Sequence, residues 1–215
     1  NNGNIWYYGN VFSGWEYGYY NVKEFNLTKK SLTTVGGSVY GANVSSNSPT
    51  GHNDYYLYNI PEALDSAGEW YLDYETGDLY IYKTENFDTA NITYTPTTTV
   101  NAVTVSYAKN VIINGINVDS TSGYGIRVSN SENVIVQNCT VKNTGNTGIS
   151  IGGSKYCAVI YNDVSGVVDG GMIYVGTSSA AKNLTPEMNV IQNNLCHSPQ
   201  PTGRVGINVS GCRNI

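Results

Sequence analysis

A four-residue phrase recurs along the second half of the chain, and it narrows the possible folds more than any other feature. It reads Ala102-Val103-Thr104-Val105, Gly125-Ile126-Arg127-Val128, Gly148-Ile149-Ser150-Ile151, Met172-Ile173-Tyr174-Val175 and Gly206-Ile207-Asn208-Val209. Successive copies start 23, 23, 24 and 34 residues apart, the last interval carrying an insertion. Each copy is answered by a second apolar run: Val111-Ile112-Ile113, Val134-Ile135-Val136, Ala158-Val159-Ile160 and Val190-Ile191. A unit of this length cannot bury its apolar face alone and needs neighbours above and below. Two or three short strands per unit, with no helical periodicity between them, describe one coil of a β-solenoid.

Parallel stacking places neighbouring strands about 4.8 Å apart and like residues over like. Ile126, Ile149, Ile173 and Ile207 then form one internal ladder, and Val128, Ile151, Val175 and Val209 another. Asn138, Asn162 and Asn194, which follow the second run, read as a turn ladder, because Asn tolerates the left-handed bend and can bond its stacked neighbour. An antiparallel sandwich would need hairpin turns every 8–12 residues or about that; here the period tracks whole coils. The expected fold is therefore all-β, a right-handed parallel β-helix over 101–215 preceded by an N-terminal β-rich module over 1–100. The handedness follows from the bias of parallel crossover connections.

The N-terminal part is rich in Tyr and Gly, with strands expected at Ile5–Tyr8 and Tyr17–Tyr20. Ser45 to Asp54, which includes His52, reads as an exposed loop, and Thr95 to Val100 as the seam before the coils. Pro61-Glu62-Ala63-Leu64 allows a single helical turn, with Pro supplying its fixed φ. Trp70/Leu72/Tyr74 alternate against Tyr71/Asp73, and Leu79/Ile81 against Tyr80/Tyr82. With Glu75-Thr76-Gly77-Asp78 between them, this is a hairpin over 69–83.

The phrase from Leu64-Asp65 through Gly68-Glu69-Trp70-Tyr71-Leu72-Asp73 and Thr76-Gly77-Asp78-Leu79-Tyr80 resembles a segment of large right-handed parallel β-helix proteins. Among them are glycoside hydrolases such as the β-helical xylosidases and the fucosidase/xylanase group, and polysaccharide lyases share the superfamily. The likeness continues through Gly145-Asn146-Thr147-Gly148-Ile149-Ser150-Ile151-Gly152-Gly153 and Asp169-Gly170-Gly171-Met172-Ile173-Tyr174-Val175-Gly176. It implies a β-rich module set before the main coils and a carbohydrate-active function, without specifying one activity.

Charged residues make up 13% of the chain and the net charge is −5. That composition offers no basic stripe for nucleic acid, and no apolar run is long enough to insert in a membrane. A polar, weakly charged surface agrees with a secreted or cell-surface protein whose partner is a polysaccharide or glycan. Of the sequons at Asn26, Asn43, Asn91, Asn138, Asn183 and Asn208, most are expected by chance in a chain this rich in Asn, Ser and Thr, and Asn138 and Asn208, which sit in the repeat, are assigned to structure. Cys139, Cys157, Cys196 and Cys212 show no zinc spacing, and Cys139 and Cys196 lie two coils apart, roughly 9.6 Å and too far for a disulfide. They read as small buried hydrophobes. No cofactor or metal is expected. The chain ends at Arg213-Asn214-Ile215, where the second strand of the next coil should begin, so it reads as a piece of a longer polypeptide that would itself be a partner.

Side chains alternate along a strand, so Arg127 points outward if Ile126 and Val128 point in. The outward stack is Thr104, Arg127, Ser150, Tyr174 and Asn208, a polar strip with one aromatic that suits a hydroxyl-rich sugar. Loops entering this face add Asp169 and Arg204, and the insertion adds Lys182 and Glu187. His197 closes the second run of the fourth coil as a turn residue within reach of a ligand. Glycoside hydrolysis uses two carboxyls, about 5–5.5 Å apart for retention and 6.5–9.5 Å for inversion. Asp169 is the first candidate and Glu187, reaching in from the insertion, the second; Arg127, Tyr174, Arg204, His197 and Asn208 are the candidate sugar contacts. A calcium-dependent lyase, with Arg204 or Lys155 as base, ranks lower because no acidic cluster stacks here. A non-catalytic adhesin or carbohydrate-binding β-helix is the alternative from a different class.

Overall fold

The computed structural model describes residues 4–9, 18–36, 55–88, 100–168, 170–177, 187–197 and 205–215. The chain forms two compact units, Asn1–Thr93 and Tyr94–Ile215. The predicted loop with His52 and most of the predicted seam lie outside the described residues.

In the first unit, β1 (Trp6–Gly9), β2 (Gly18–Asn26), β3 (Ser31–Val35) and β4 (Tyr55–Tyr58) make an antiparallel sheet in the order β3-β2-β1-β4. Trp6 stands opposite Asn21 and Tyr58, and Tyr8 opposite Tyr19 and Tyr56. Strand alternation therefore gathers Trp6, Tyr8, Tyr19, Tyr56 and Tyr58 on one face. Their rings meet in cross-strand pairs, Tyr8 and Tyr56 at 5.3 Å and Trp6 and Tyr58 at 6.4 Å between centroids. Such pairs stabilise a sheet that has few aliphatic residues to bury.

Pro61–Ala63 form a short 3-10 turn with Pro at its start, and β5 (Trp70–Leu72) pairs antiparallel with β6 (Leu79–Ile81). Asn59 ties this hairpin to the sheet: its Nδ2 donates to the carbonyls of Asn4 (2.7 Å) and Leu72 (2.8 Å), while its Oδ1 accepts from the Leu72 amide (2.8 Å).

The second unit winds through β7 (Val103–Ser106), β8 (Lys109–Asn114), β9 (Asn117–Thr121), β10 (Ile126–Ser129), β11 (Glu132–Gln137) and β12 (Thr140–Thr144). It continues through β13 (Ile149–Gly152), β14 (Ala158–Ile160), β15 (Asp163–Val167), β16 (Ile173–Gly176), β17 (Val190–Gln192), β18 (Leu195–His197) and β19 (Ile207–Ser210). Every third strand pairs in parallel, giving a first sheet β19-β16-β13-β10-β7, a second β17-β14-β11-β8 and a third β18-β15-β12-β9. This is the stacked coil that the repeated phrase predicts.

The register matches the predicted ladders: Ile126 pairs with Ile149, Ile149 with Ile173 and Ile173 with Ile207, and likewise Val128, Ile151, Val175 and Val209. Ile126, Ile149 and Ile173 are fully buried, but Ile207 is 45% exposed. Full burial of such a side chain contributes roughly 1.5–3 kcal/mol. Inner coils collect that contribution from both neighbours and the outermost strand from one.

Glycine precedes isoleucine in the phrase because the chain turns tightly into the first sheet there. A Cβ on Gly148 would sit 2.7 Å from the Met172 carbonyl oxygen and inside contact distance of Val164, and one on Gly125 would meet Gly148 and Val141 in the same way.

Left-handed residues mark the corners in columns. Asn110, Asn133, Tyr156, Met188 and Asn214 form one, and Gly115, Asn138, Tyr161 and Asn193 another. This second column corrects the predicted asparagine ladder. Asn138 occupies the left-handed position, whereas Asn162 and Asn194 stand one place further on, in register with Cys139: the Cys139 amide donates to Asn162 Oδ1 and the Asn162 amide to Asn194 Oδ1, both at 2.9 Å. The extra asparagines Asn193-Asn194 hide the offset, since either satisfies the pattern in the sequence. Asn162 Nδ2 donates to the Val136 carbonyl (3.0 Å) and to Asn194 Oδ1 (2.9 Å), so this buried amide is satisfied on both ends. The four cysteines are free; Cys139 and Cys157 are buried, and Cys196 and Cys212 are partly so.

Candidate functional site

The outer face of the first sheet carries the predicted strip in register. Arg127 pairs with Thr104 and Ser150, Ser150 with Tyr174, and Tyr174 with Asn208. A second outward column runs beside it: Ser106, Ser129, Gly152, Gly176 and Ser210. The hydroxyls of Ser106 and Ser129 lie 2.8 Å apart. Thr104, Arg127, Ser106 and Ser210 are exposed, Tyr174, Asn208, Ser129 and Gly152 are partly so, and Ser150 and Gly176 are buried; the rungs stand about 4.8 Å apart.

Arg127 is exposed, and its guanidinium carbon lies 4.8 Å from the centroid of the Tyr124 ring. Tyr124 was not among the predicted contacts. Its position three residues before Arg127, at the turn into the strand, was the signal available, but spacing alone does not say that the ring would lie against the guanidinium. Tyr174 is only partly exposed and its hydroxyl is buried. Burial pushes this phenol above its ordinary range, Cys212 and Tyr124 add to the shift, and the Ser210 hydroxyl draws it back. That proximity to Ser210 falls short of a well-aligned hydrogen bond, and the Tyr174 hydroxyl has no such bond among the described residues. Asn208 is partly exposed on the outermost strand.

The other predicted site residues part company with the strip. Glu187 stands at the corner leading into the second sheet, in a column that reads Lys109, Glu132, Lys155, Glu187 and Arg213. Charges alternate along it. Glu132 Oε2 is 3.0 Å from Lys109 Nζ and 3.7 Å from Lys155 Nζ, and Glu187 Oε2 is 2.6 Å from Arg213 Nη2. Lys109, donating a hydrogen bond, holds the Glu132 carboxyl below its usual range. Lys155, considered above as a lyase base, has its ammonium between this carboxylate and the Tyr156 ring, 5.4 Å from the ring centroid.

His197 is in a strand and not in a turn. It belongs to β18 of the third sheet, opposite Ser165, with Nε2 2.8 Å from Asp163 Oδ1. It thus belongs to a different sheet from Arg127 and Tyr174. Asp169, Lys182 and Arg204 lie outside the described residues. Among the described residues, no group of three or more His, Cys, Asp or Glu side chains is placed to hold a metal ion.

The sequence model of the right-handed β-helix region matches residues 76–195, more than half of the chain. No curated protein and no solved structure matches the chain significantly.

Proposed function

We propose that this chain, which belongs to the right-handed β-helix family, is an extracellular carbohydrate-active protein that lays a polysaccharide along the outer face of its first sheet. The observation that carries the reading is the register of Thr104, Arg127, Ser150, Tyr174 and Asn208 across five adjacent strands. Evenly spaced polar rungs suit a polymer whose repeating unit presents hydroxyls at regular intervals. Arg127 and Asn208 supply donors, and Tyr124 and Tyr174 supply ring surface for the apolar side of a sugar.

Glycoside hydrolysis is the activity proposed for this surface, with Asp169 as the carboxyl at the scissile bond and Arg204 as a further contact. A glycan array followed by reducing-sugar release tests both steps. The outcome that rejects Asp169 as catalyst is undiminished turnover in Asp169→Asn.

One observation favours a second reading, a non-catalytic carbohydrate-binding or adhesin-like β-helix. The Glu187 carboxylate, the candidate partner of Asp169, is taken up by Arg213 in the corner ladder. Binding on the array without sugar release, in the wild-type protein, decides for this second reading.

A further inference from the structure

Among the described residues the first sheet carries little charge. Through residues 100–107, 123–130, 147–153, 170–177 and 205–211, which form its strands and their immediate turns, Arg127 is the only charged side chain. The whole chain carries a net charge of −5. The cations of the neighbouring corner column, Lys109, Lys155 and Arg213, are each placed against a carboxylate. Arg127 has no carboxylate partner among the described residues. Its neighbours across the strands are Thr104 and Ser150, and one face of the guanidinium is held over Tyr124 at 4.8 Å.

We infer that Arg127 recognises an anionic group on the polysaccharide, a uronic-acid carboxylate or a sulfate ester, so that the strip selects acidic over neutral glycans. The proposal rests on the glycan-binding reading of the same face. Guanidinium presents a planar fork of N–H donors that matches carboxylate and sulfate geometry. Stacking on Tyr124 restricts the side chain before a ligand arrives, so less rotamer freedom is lost on binding. The hydroxyl of Thr104, exposed on the neighbouring strand, can donate to the same anion. The overall negative charge opposes an acidic polymer at long range, so a preference for one has to arise from local contacts such as this.

The test compares wild type, Arg127→Ala and Arg127→Lys on an array in which uronic-acid and sulfated members have neutral counterparts of the same backbone. Affinities of the matched pairs are then measured by calorimetry at fixed, near-physiological ionic strength. The wild type is expected to prefer the charged member by about tenfold, the scale of one charge-assisted hydrogen-bonded pair. Arg127→Ala should erase the preference, lowering affinity for each charged member by about tenfold more than for its neutral counterpart, and Arg127→Lys should retain only part of it. A preference confined to the uronic-acid pairs assigns the carboxylate, and one confined to the sulfated pairs assigns the sulfate. Equal wild-type affinity within every pair, or an unchanged preference in Arg127→Ala, overturns the proposal and leaves the glycan-binding reading standing. An array with no binder removes both.

Discussion

Arg213 grips a single oxygen of Glu187 twice, with Nη2 at 2.6 Å and Nε at 2.7 Å from Oε2. The pair joins the fourth coil to the segment that follows β19 and completes a column of alternating charge that begins at Lys109. Like residues stack on like in most of this solenoid, so a column of charged residues would repel itself unless the sign alternated. The ladder therefore helps to specify which residue stands above which.

From this follows a test of the role of Glu187. Glu187→Gln and Arg213→Ala should each lower stability by up to about 1 kcal/mol, the scale of a partly exposed ion pair. Glycan turnover should not change in either. The urea midpoint and reducing-sugar release measured on the same preparations check this, and lost turnover at unchanged stability would return Glu187 to the catalytic pair.

Acid should loosen the ladder from within. Glu132 is held below the usual carboxylate range chiefly by the Lys109 hydrogen bond, and Asp119 chiefly by the hydrogen bond from Asn143, with Ser120 next. A carboxyl whose folded pKa is depressed adds stability above its unfolded value, roughly 4 for these side chains, and loses it as pH falls through the folded value. Urea midpoints should therefore be level from neutral pH to about pH 5 and decline below about pH 4. Glu132→Gln should make that decline shallower; an identical profile would show that Glu132 is not a contributor.

Gly148→Ala tests the tight entry into the first sheet. The added methyl has no space between Val164 and the Met172 carbonyl, so either the strand shifts or the core opens. Overpacking of this kind costs about 1–3 kcal/mol. The same substitution at Gly115, where a Cβ meets nothing within 4 Å but φ is +69°, should cost less, and only through backbone strain. Thermal denaturation of both variants gives the comparison.

Asn162→Ala removes an acceptor for the Cys139 amide and a donor for the Val136 carbonyl, both at the buried corner between the second and third sheets. Each interior group left unsatisfied costs roughly 1–3 kcal/mol. Asn138→Ala, at the exposed left-handed position beside it, should cost less, because water replaces its bond to Asn114. Similar losses of stability in the two variants would contradict the corrected register.

Much of the coil architecture was legible because its cause is periodic. Ile126, Ile149 and Ile173 are forced inward by the same apolar alternation in each copy, and Gly125 and Gly148 mark the same tight approach. The corners were less legible. Asn138, Asn162, Asn193 and Asn194 are equivalent letters, but only one position in each turn takes the left-handed bend while the next points into the core. His197 looked like a turn residue at the close of the fourth coil's second run, yet parallel pairing of Leu195-Cys196-His197 with Asp163-Val164-Ser165 extends a strand through it.

The spacing and polarity of the repeat were enough to dictate the stacked coils, the two internal ladders and the outward strip, because each depends on a period that runs along the chain. Which charges neutralise one another did not follow from the residue order. Lys109 and Glu132 are 23 positions apart, and Glu187 and Arg213 are 26 apart across a longer loop. The pairing of these side chains arises only when the coils close and bring distant residues within a few ångströms, and the seating of Arg127 over Tyr124 depends on the turn into its strand.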